Sequence, residues 1–580
     1  MKNYLNKIGV ILLLVATWSC ETTELDLVTN PNSPSPDNLD VDFTLNRIQL
    51  DFAEFFEQAT EAGGAATRLE YMFDEYDVNY NNSNANITVM WRTAYADLLK
   101  DIETLIPIAT DSEFYIHSAI ARTLKAYTLM TMVDYFKDVP YSEALIATNT
   151  DTDTFFPSVD PGSEVYAAAL EELNTALVEF NNTSLGEPAN DLYYGGSTDK
   201  WITLINTLKF KYYLNLRLAD QATATAGINA LLTEGNLIEA SDDNFVFQFG
   251  TAEVPASKHP YYIQEYDAAN VGEYIPNYLM WSLAVEKGFE DPRLRYYVYR
   301  QSGEFPTDEA TLNNVIDCWN DPRPATYAAI DAILDTPLPF CALFDRADGY
   351  WGRDHAEADG IPPDNSLRST FGLYPIGGNL DIDTFDEVGT GDGINGAGIW
   401  PIMTRSFTYF MRAEAALYLG TGEDPQLMLE EGIRASMDDV FSLNSSYVIS
   451  RSAVVVVADD EDTAADETVL GGDFLPVDQD VEDYVEFVTN SFGAAAGTEQ
   501  QMAIIGKEYW IALYGNGVEA YNLYKRTGMP NTLQPTLLGT STFPRSFLYP
   551  AESVERNLNI TQKSLTDKSF WDTNPDGFIQ

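Results

Sequence analysis

The chain has 580 residues and carries 33 lysines and arginines against 89 aspartates and glutamates, which gives a formal net charge of −56. A field of that sign repels phosphate backbones and anionic lipid, so nucleic acids are excluded as partners and neutral or cationic ligands are favoured. Hydrophobic residues make up 45% of the chain, enough for a substantial core, and the aromatic content of 13% is high. Exposed aromatic rings are typical of proteins that bind sugars or peptides.

The amino terminus resembles the signal of a bacterial lipoprotein. Lys2 and Lys7 precede a short apolar run that ends at Cys20. A positive start and a short apolar middle indicate export, and the run is too short to span a bilayer. We expect residues 1–19 to be a signal peptide, Cys20 to be lipidated, and residues 20–38 to be a flexible tether; an ordinary secretory signal with a chance cysteine is the alternative.

Helical spacing of apolar residues dominates both ends of the chain. Before residue 239 it predicts helices over 39–62, 88–106, 114–136, 163–180, 198–220 and 222–233. We expect the second of these helices to stop before Pro107. The short turns between the helices predict a mainly α fold, with a TPR-like scaffold of helical pairs, an α-solenoid, over 39–238. Further helices over 406–420, 425–441 and 500–526 predict a C-terminal helical part, 401–580, that closes the scaffold.

Residues 239–400 are rich in Tyr, Trp, Gly, Pro, Asn and Asp and have little helical periodicity. So long an irregular stretch is typically functional, and we interpret it as a loop-rich, variable ligand-binding lobe. Its candidate ligand-stacking residues are Trp281, Trp319, Tyr350, Trp351 and Trp400. Packing in the core is the alternative for each of them.

A second aromatic stretch lies at 63–86, where tyrosines and phenylalanine alternate with carboxylates and amides. Such residues can stack on sugar rings and bond their hydroxyl groups. The candidate ligand-binding residues are Asp74, Tyr76, Tyr80 and Asn81, with Tyr71 and Phe73 beside them. A polar loop whose tyrosines pack on neighbouring helices is the alternative.

Metal and redox signals are weak. Asp381, Asp383, Asp386 and Asp392 share a glycine-rich loop and are a candidate structural Ca²⁺ site, although chance clustering is common in so acidic a chain. Cys318 and Cys341 are a candidate disulfide, with two buried thiols as the alternative. The three histidines are scattered, so no zinc site is expected. No other cofactor is expected.

Five stretches together resemble the SusD/RagB family of nutrient-binding outer-membrane lipoproteins of the Bacteroidetes. They are AYTLMTMVDYFKDVPYSEAL, WITLINTLKFKYYLNLRLAD, MRAEAALYLG, IGKEYWIALYGNGVEAYNLYKRTG, and PRSFLYPAESVERNLN with FWDTNP. The resemblance implies an eight-helix, four-pair TPR-like scaffold whose loops build a ligand site.

The same resemblance implies a non-catalytic lipoprotein, exposed on the cell surface, that captures an oligosaccharide or peptide. It also implies a SusC-like TonB-dependent transporter as the partner that receives the ligand. Two other functions stay open at the level of sequence. One is a scaffold that binds only a protein, and the other is a glycoside hydrolase, which needs two carboxylates across a sugar cleft.

Overall fold

The computed structural model describes residues 39–145, 156–267, 274–303, 321–341, 349–358, 368–458, 467–537 and 541–579. The fold is mainly helical. The helices before residue 240 are α1 Val41–Thr67, α2 Tyr76–Asn79, α3 Ala85–Arg92, α4 Leu99–Asp111, α5 Tyr115–Phe136, α6 Gly162–Phe180, α7 Thr198–Leu216 and α8 Gln221–Glu234. A π-helical segment, Thr93–Leu98, joins α3 to α4.

The middle of the chain contains only short elements. They are α9 Pro260–Tyr262, α10 Asn277–Ala284, α11 Leu294–Tyr297 and α12 Ala328–Asp331, with strands β1 Phe245–Gln248, β2 Val298–Tyr299, β3 Thr370–Phe371 and β4 Ile399–Met403. The C-terminal elements are α13 Arg405–Leu419, α14 Pro425–Ser442, α15 Ser445–Ser452, β5 Val455–Ala458, β6 Glu467–Leu470, α16 Asp478–Ala494, α17 Thr498–Ala512, α18 Gly517–Thr527 and α19 Ala551–Arg556.

Successive helices pack side by side as pairs: α5 with α6, α7 with α8, and α13 with α14. Helix α5 is buried along almost its whole length, and small residues such as Ala119 and Ala126 allow its neighbours to approach. The predicted fold class, a mainly α scaffold of helical pairs with an irregular middle, is confirmed.

The expectation that Pro107 ends a helix was wrong. Helix α4 continues through Pro107 to Asp111. Proline has no amide hydrogen, so one helical hydrogen bond is lost at this position. The helix persists because its apolar face, which includes Ile102, Leu105 and Ala109, is buried in the core on both sides of the proline.

The irregular middle of the chain begins and ends at two strands that pair with each other. Strands β1 and β4 pair antiparallel, with Phe247 opposite Trp400 and Gln248 opposite Ile399. Strands β2 and β3 form a second antiparallel pair, and β5 and β6 form a third. The ladder of β1 and β4 brings the two ends of the 249–398 excursion together, and rings from that excursion join the same hydrophobic core as the helices.

Two glycines allow a close helix crossing in the core. Helix α18 packs on the C-terminal half of α1, and a Cβ added at Gly63 would lie 2.2 Å from the carbonyl oxygen of Gly517. A Cβ added at Gly517 would lie 2.0 Å from the carbonyl oxygen of Thr60. This crossing fixes the end of α1, from which the candidate site begins.

None of the helices in the described ranges is both long enough and apolar enough to cross a membrane.

Candidate functional site

A cleft of about 180 Å³ opens where the chain leaves α1 and meets the middle of the sequence. One wall comes from residues 61–87 and the other from Tyr261, Gln264, Tyr274 and Phe371. The lining is aromatic, amide and carboxylate in character and consists of Glu61, Ala62, Ala65, Glu70, Tyr71, Met72, Phe73, Asn79, Tyr80, Asn84, Asn86, Ile87, Tyr261, Gln264, Tyr274 and Phe371.

The first wall begins at a helix C-cap. Arg68 adopts the left-handed conformation, with φ of 64°, and its backbone amide donates to the carbonyl of Gly64. This turn ends α1 and sends the chain back along the helix. Asn79 then donates to the carbonyl of Asp74 at 2.6 Å, and Asn84 donates to the carbonyl of Asn79 at 2.7 Å. The amides therefore hold the loop in shape, and Phe73 is left 57% exposed at the cleft.

The second wall is centred on Tyr261. Its hydroxyl group donates to Glu70 Oε1 at 2.9 Å, which joins the two walls. Its ring contacts Trp400 edge-on at 5.2 Å between centroids, and Phe371 at 5.5 Å. Tyr274 makes a second link, because its ring meets that of Tyr71 at 5.5 Å in a T-shaped contact. Buried rings thus support the lining and preorganise the cleft.

Two carboxylates, those of Glu61 and Glu70, line the cleft. The side-chain amide of Asn86 donates to Glu61 Oε1. Burial, with the nearby Glu70, Glu61 and Glu57, raises the pKa of Tyr261 far above its ordinary value. Burial and the neighbouring Glu61 and Glu54 likewise raise the pKa of Glu57 to about 8. The lining therefore presents aromatic faces, amides and carboxylates within one recess.

Of the candidate ligand-binding residues that the structure describes, Tyr80 lines this cleft. It is 3% exposed, donates through its hydroxyl group to the carbonyl of Ala62, and stacks on Phe547. Tyr80 therefore supports the wall more than it offers a face to a ligand. The 63–86 stretch still contributes Tyr71 and Phe73, which the sequence places beside the candidate residues, and it also contributes Asn79.

The expectation of exposed rings was wrong for the other described aromatics. Tyr76, Trp281, Tyr350, Trp351 and Trp400 are all buried, and the least buried, Trp351, is 6% exposed.

These rings pack against other core side chains. Tyr76 packs between His355 and Phe543. The Lys507 ammonium lies over Trp281, and the Arg300 guanidinium lies over Tyr350. Trp400 packs on Phe56, Phe249 and His259. Core packing is the physical reason in each case.

Asp74 and Asn81 shape their own loop. Asp74 accepts from the backbone amide of Glu75, and Asn81 accepts from that of Ser83. Neither lines the cleft. Cys20, Cys318 and Trp319 lie outside the described residues, as do 1–19 and 20–38. Cys341 is disulfide-bonded, and its pairing with Cys318 stays a prediction.

The acidic loop at 381–386 is not arranged as a calcium site. Asp381 accepts from Arg300 Nε at 2.8 Å, and Asp383 accepts from Arg295 and Arg300. Although burial opposes it, the charge of Arg300 and Arg295 holds the pKa of Asp381 below its ordinary value. Asp386 is exposed, and its carbonyl accepts from Tyr299. Across the described ranges, no group of three His, Cys, Asp or Glu side chains is placed to hold a metal ion.

Sequence reasoning missed the second wall and both carboxylates. Tyr261, Gln264 and Tyr274 belong to a tyrosine-rich stretch, YYIQEYDAANVGEY, whose density of rings was the available signal. Glu61 and Glu70 gave no signal, because acidic residues are abundant everywhere in this chain. Their proximity depends on the turn at Arg68 and on the hydroxyl group of Tyr261.

The helical pairs and the loop-built cleft define the class of protein: a helical scaffold with a ligand-sized recess in its loops. A family model named SusD-like and described as "Starch-binding associating with outer membrane" matches residues 36–550. The chain therefore belongs to the SusD-like family. No curated protein matches it in sequence.

Solved structures share this fold at low sequence identity. A chitin-binding protein is 19% identical with a TM-score of 0.62, covering 92% of this chain and 100% of its own. A SusD homologue from Bacteroides fragilis is 17% identical with a TM-score of 0.62, covering 93% and 100%. A chitin-binding SusD homologue from Flavobacterium johnsoniae is 18% identical with a TM-score of 0.58, covering 92% and 99%.

Proposed function

We propose that this chain is a non-catalytic nutrient-binding lipoprotein, anchored through Cys20 to the outer membrane and exposed on the cell surface. It captures an oligosaccharide or peptide in the cleft between residues 61–87 and the wall formed by Tyr261, Gln264 and Tyr274, and it delivers the ligand to a SusC-like TonB-dependent transporter. The observation that supports this most is the cleft itself. It places the exposed ring of Phe73 beside tyrosines, amides and carboxylates within one recess.

The chemistry of the lining fits a sugar ring or a peptide side chain. Aromatic contacts contribute about 0.5–1.5 kcal/mol each beyond the area they bury. Net hydrogen bonds contribute about 1 kcal/mol each, because water is displaced on both sides. A few such contacts give reversible binding, which suits a protein that must release its ligand to a transporter.

Phe73→Ala tests the assignment of the cleft. We expect the variant to bind its ligand about tenfold more weakly, the loss of roughly 1.4 kcal/mol from one stacking contact, with an unchanged melting temperature because the ring is exposed. Calorimetry against malto-oligosaccharides, chito-oligosaccharides and a peptide library supplies both the ligand and the affinity.

Phe43→Ala is the matched control, since Phe43 is 75% exposed on α1 outside the lining. Equal losses in the two variants, or no loss in Phe73→Ala, would place the ligand elsewhere. If neither oligosaccharides nor peptides bind the unaltered protein, the chain is a scaffold for proteins only.

A further inference from the structure

Another recess, a groove of about 550 Å³, lies between the turn at residues 289–295 and helix α16. Its apolar lining includes Phe289, Phe474, Leu475 and Phe487, and we call it the phenylalanine groove. Among the described residues, its lining and the lining of the cleft have no member in common. The groove is therefore a separate surface of the protein.

The rings of the phenylalanine groove are exposed but held in place. Phe289 is 36% exposed and Phe487 is 42% exposed, and their rings meet at 5.1 Å between centroids in a T-shaped contact. Phe289 also contacts the ring of the buried Tyr484 at 5.9 Å. The guanidinium of Arg295 lies over the ring of Phe474 at 5.4 Å. Clustered, exposed apolar side chains rimmed by polar groups are typical of a surface that binds a partner.

Three acids at the rim supply the polar part of the groove. Asp473, Asp480 and Asp483 are exposed and belong to its lining. They accept hydrogen bonds from the backbone amides of Leu470 and Val477 and from the side-chain amide of Gln479, respectively. These donors carry no charge, so the bonds do not neutralise the carboxylates.

The cations beside the groove are matched by other acids. Arg295 pairs with Asp381 at 3.6 Å and also with Asp383 and Glu290. Arg434 of α14 pairs with Glu430 at 3.0 Å and with Glu482 at 2.7 Å. In the part of the chain that the structure describes, no ion pair includes any of the three rim acids, so the rim keeps its negative charge.

A protein segment with both apolar and basic side chains fits these two features. Its apolar side chains would be buried against the phenylalanine rings, and its lysines or arginines would pair with the acids at the rim. A second copy of this chain is disfavoured as the occupant, because each copy carries a formal net charge of −56. Anionic lipid and nucleic acid are repelled for the same reason.

We propose that the phenylalanine groove is a docking surface for a partner protein, which it binds through a segment whose apolar side chains are flanked by lysines or arginines. Phe289 and Phe487 bury the apolar side chains, and Asp480 and Asp483 pair with the basic ones. This surface is independent of the cleft and adds protein recognition to ligand capture.

The test is fluorescence anisotropy of the purified protein with a labelled dodecapeptide of lysine, phenylalanine and glycine. One control peptide has serine in place of phenylalanine, and another has glutamate in place of lysine. We expect the first peptide to bind at least about tenfold tighter than either control. Its affinity should fall as sodium chloride is raised, because salt screens the charges of the rim. Equal binding of the phenylalanine and serine peptides would show attraction by net charge alone and would overturn the proposal.

Phe487→Ala tests the apolar contact and Asp483→Asn tests the charged one. We expect Phe487→Ala to weaken binding of the phenylalanine peptide about tenfold, and Asp483→Asn to weaken it and reduce its salt dependence. Phe43→Ala on α1 and Glu552→Gln on α19 are the matched controls at exposed positions and should bind as the unaltered protein does. Phe289→Ala is the second variant if circular dichroism shows that Phe487→Ala folds poorly.

Oligosaccharide binding separates this surface from the cleft. Phe487→Ala should bind oligosaccharides with the affinity of the unaltered protein, because Phe487 does not line the cleft. A loss of peptide binding in Phe43→Ala as large as that in Phe487→Ala would overturn the proposal. A dimer seen by sedimentation that Phe487→Ala dissociates would also overturn it, because the groove would then bind a second copy of the chain.

Discussion

The carboxyl group of Glu57 is held next to two others, Glu54 and Glu61, in a site that burial makes poor in water. Both effects favour the protonated form, so the folded protein binds this proton more tightly than the unfolded chain does. The free energy of unfolding must therefore fall as pH rises from about 4.5, the ordinary glutamate value, to about 8. Above that pH range the loss of stability caused by ionised Glu57 is constant, and below it this loss disappears.

Glu57→Gln removes the titrating group and keeps its shape. We expect the variant to be more stable than the unaltered protein at pH 8, by an amount on the order of 1 kcal/mol or more, and equally stable at pH 4. Melting temperatures measured across that range check the prediction. A stability difference that does not depend on pH would show that Glu57 is solvated and ordinary.

The burial of individual aromatic residues could not be predicted from the sequence alone. Trp351 lies between Tyr350 and Gly352, a setting that favours exposure, yet it is buried. The backbone amide of Trp351 donates to the hydroxyl group of Ser369, and that of Gly352 donates to the side chain of Asn277, so distant residues hold this segment in the core. Trp400 is buried because its strand pairs with β1 across about 150 residues of sequence. The local pattern of residues contains none of this information. It therefore singled out the 63–86 stretch but favoured the buried Tyr76 and Tyr80 over the exposed Phe73.

At the scale of elements, the crossing of α1 and α18 positions the cleft. Glycine is needed at positions 63 and 517 because each approaches the backbone of the other helix more closely than a methyl group permits. Apolar periodicity predicted most of the long helices, since their buried faces repeat every three to four residues. It could not predict this crossing, because the glycines gave no periodic signal.

Gly517→Ala should separate the two helices and lower the free energy of unfolding by about 1–3 kcal/mol, the usual cost of overpacking. The same substitution at Gly493 in α16 meets only an ordinary van der Waals contact, with Gln426 Oε1 at 3.8 Å, and should stabilise by up to about 1 kcal/mol through helix propensity. Thermal unfolding of both variants gives the comparison. If Gly517→Ala melts at the same temperature as the unaltered protein, the close crossing is incorrect.

At the scale of the whole molecule, the chain is a strongly acidic helical protein of the SusD-like family. We propose that a lipid on Cys20 anchors it to the membrane. Cys20→Ala should abolish incorporation of labelled palmitate and shift the protein from the membrane fraction to the soluble fraction. The physical reason is that acyl chains contribute about 0.8 kcal/mol for each buried methylene group, and no described helix replaces them. Cys341→Ala is the control that should stay in the membrane fraction. Retention of Cys20→Ala there would show another means of attachment.

The central claim is that ligand enters the cleft between residues 61–87 and the wall of Tyr261, Gln264 and Tyr274. A crystal structure of the purified protein with a bound oligosaccharide tests it most directly. The account predicts electron density for a sugar ring in contact with Phe73, with polar atoms within hydrogen-bond distance of Glu61 or Glu70. Density for the sugar at any other surface, with the cleft empty, would contradict it.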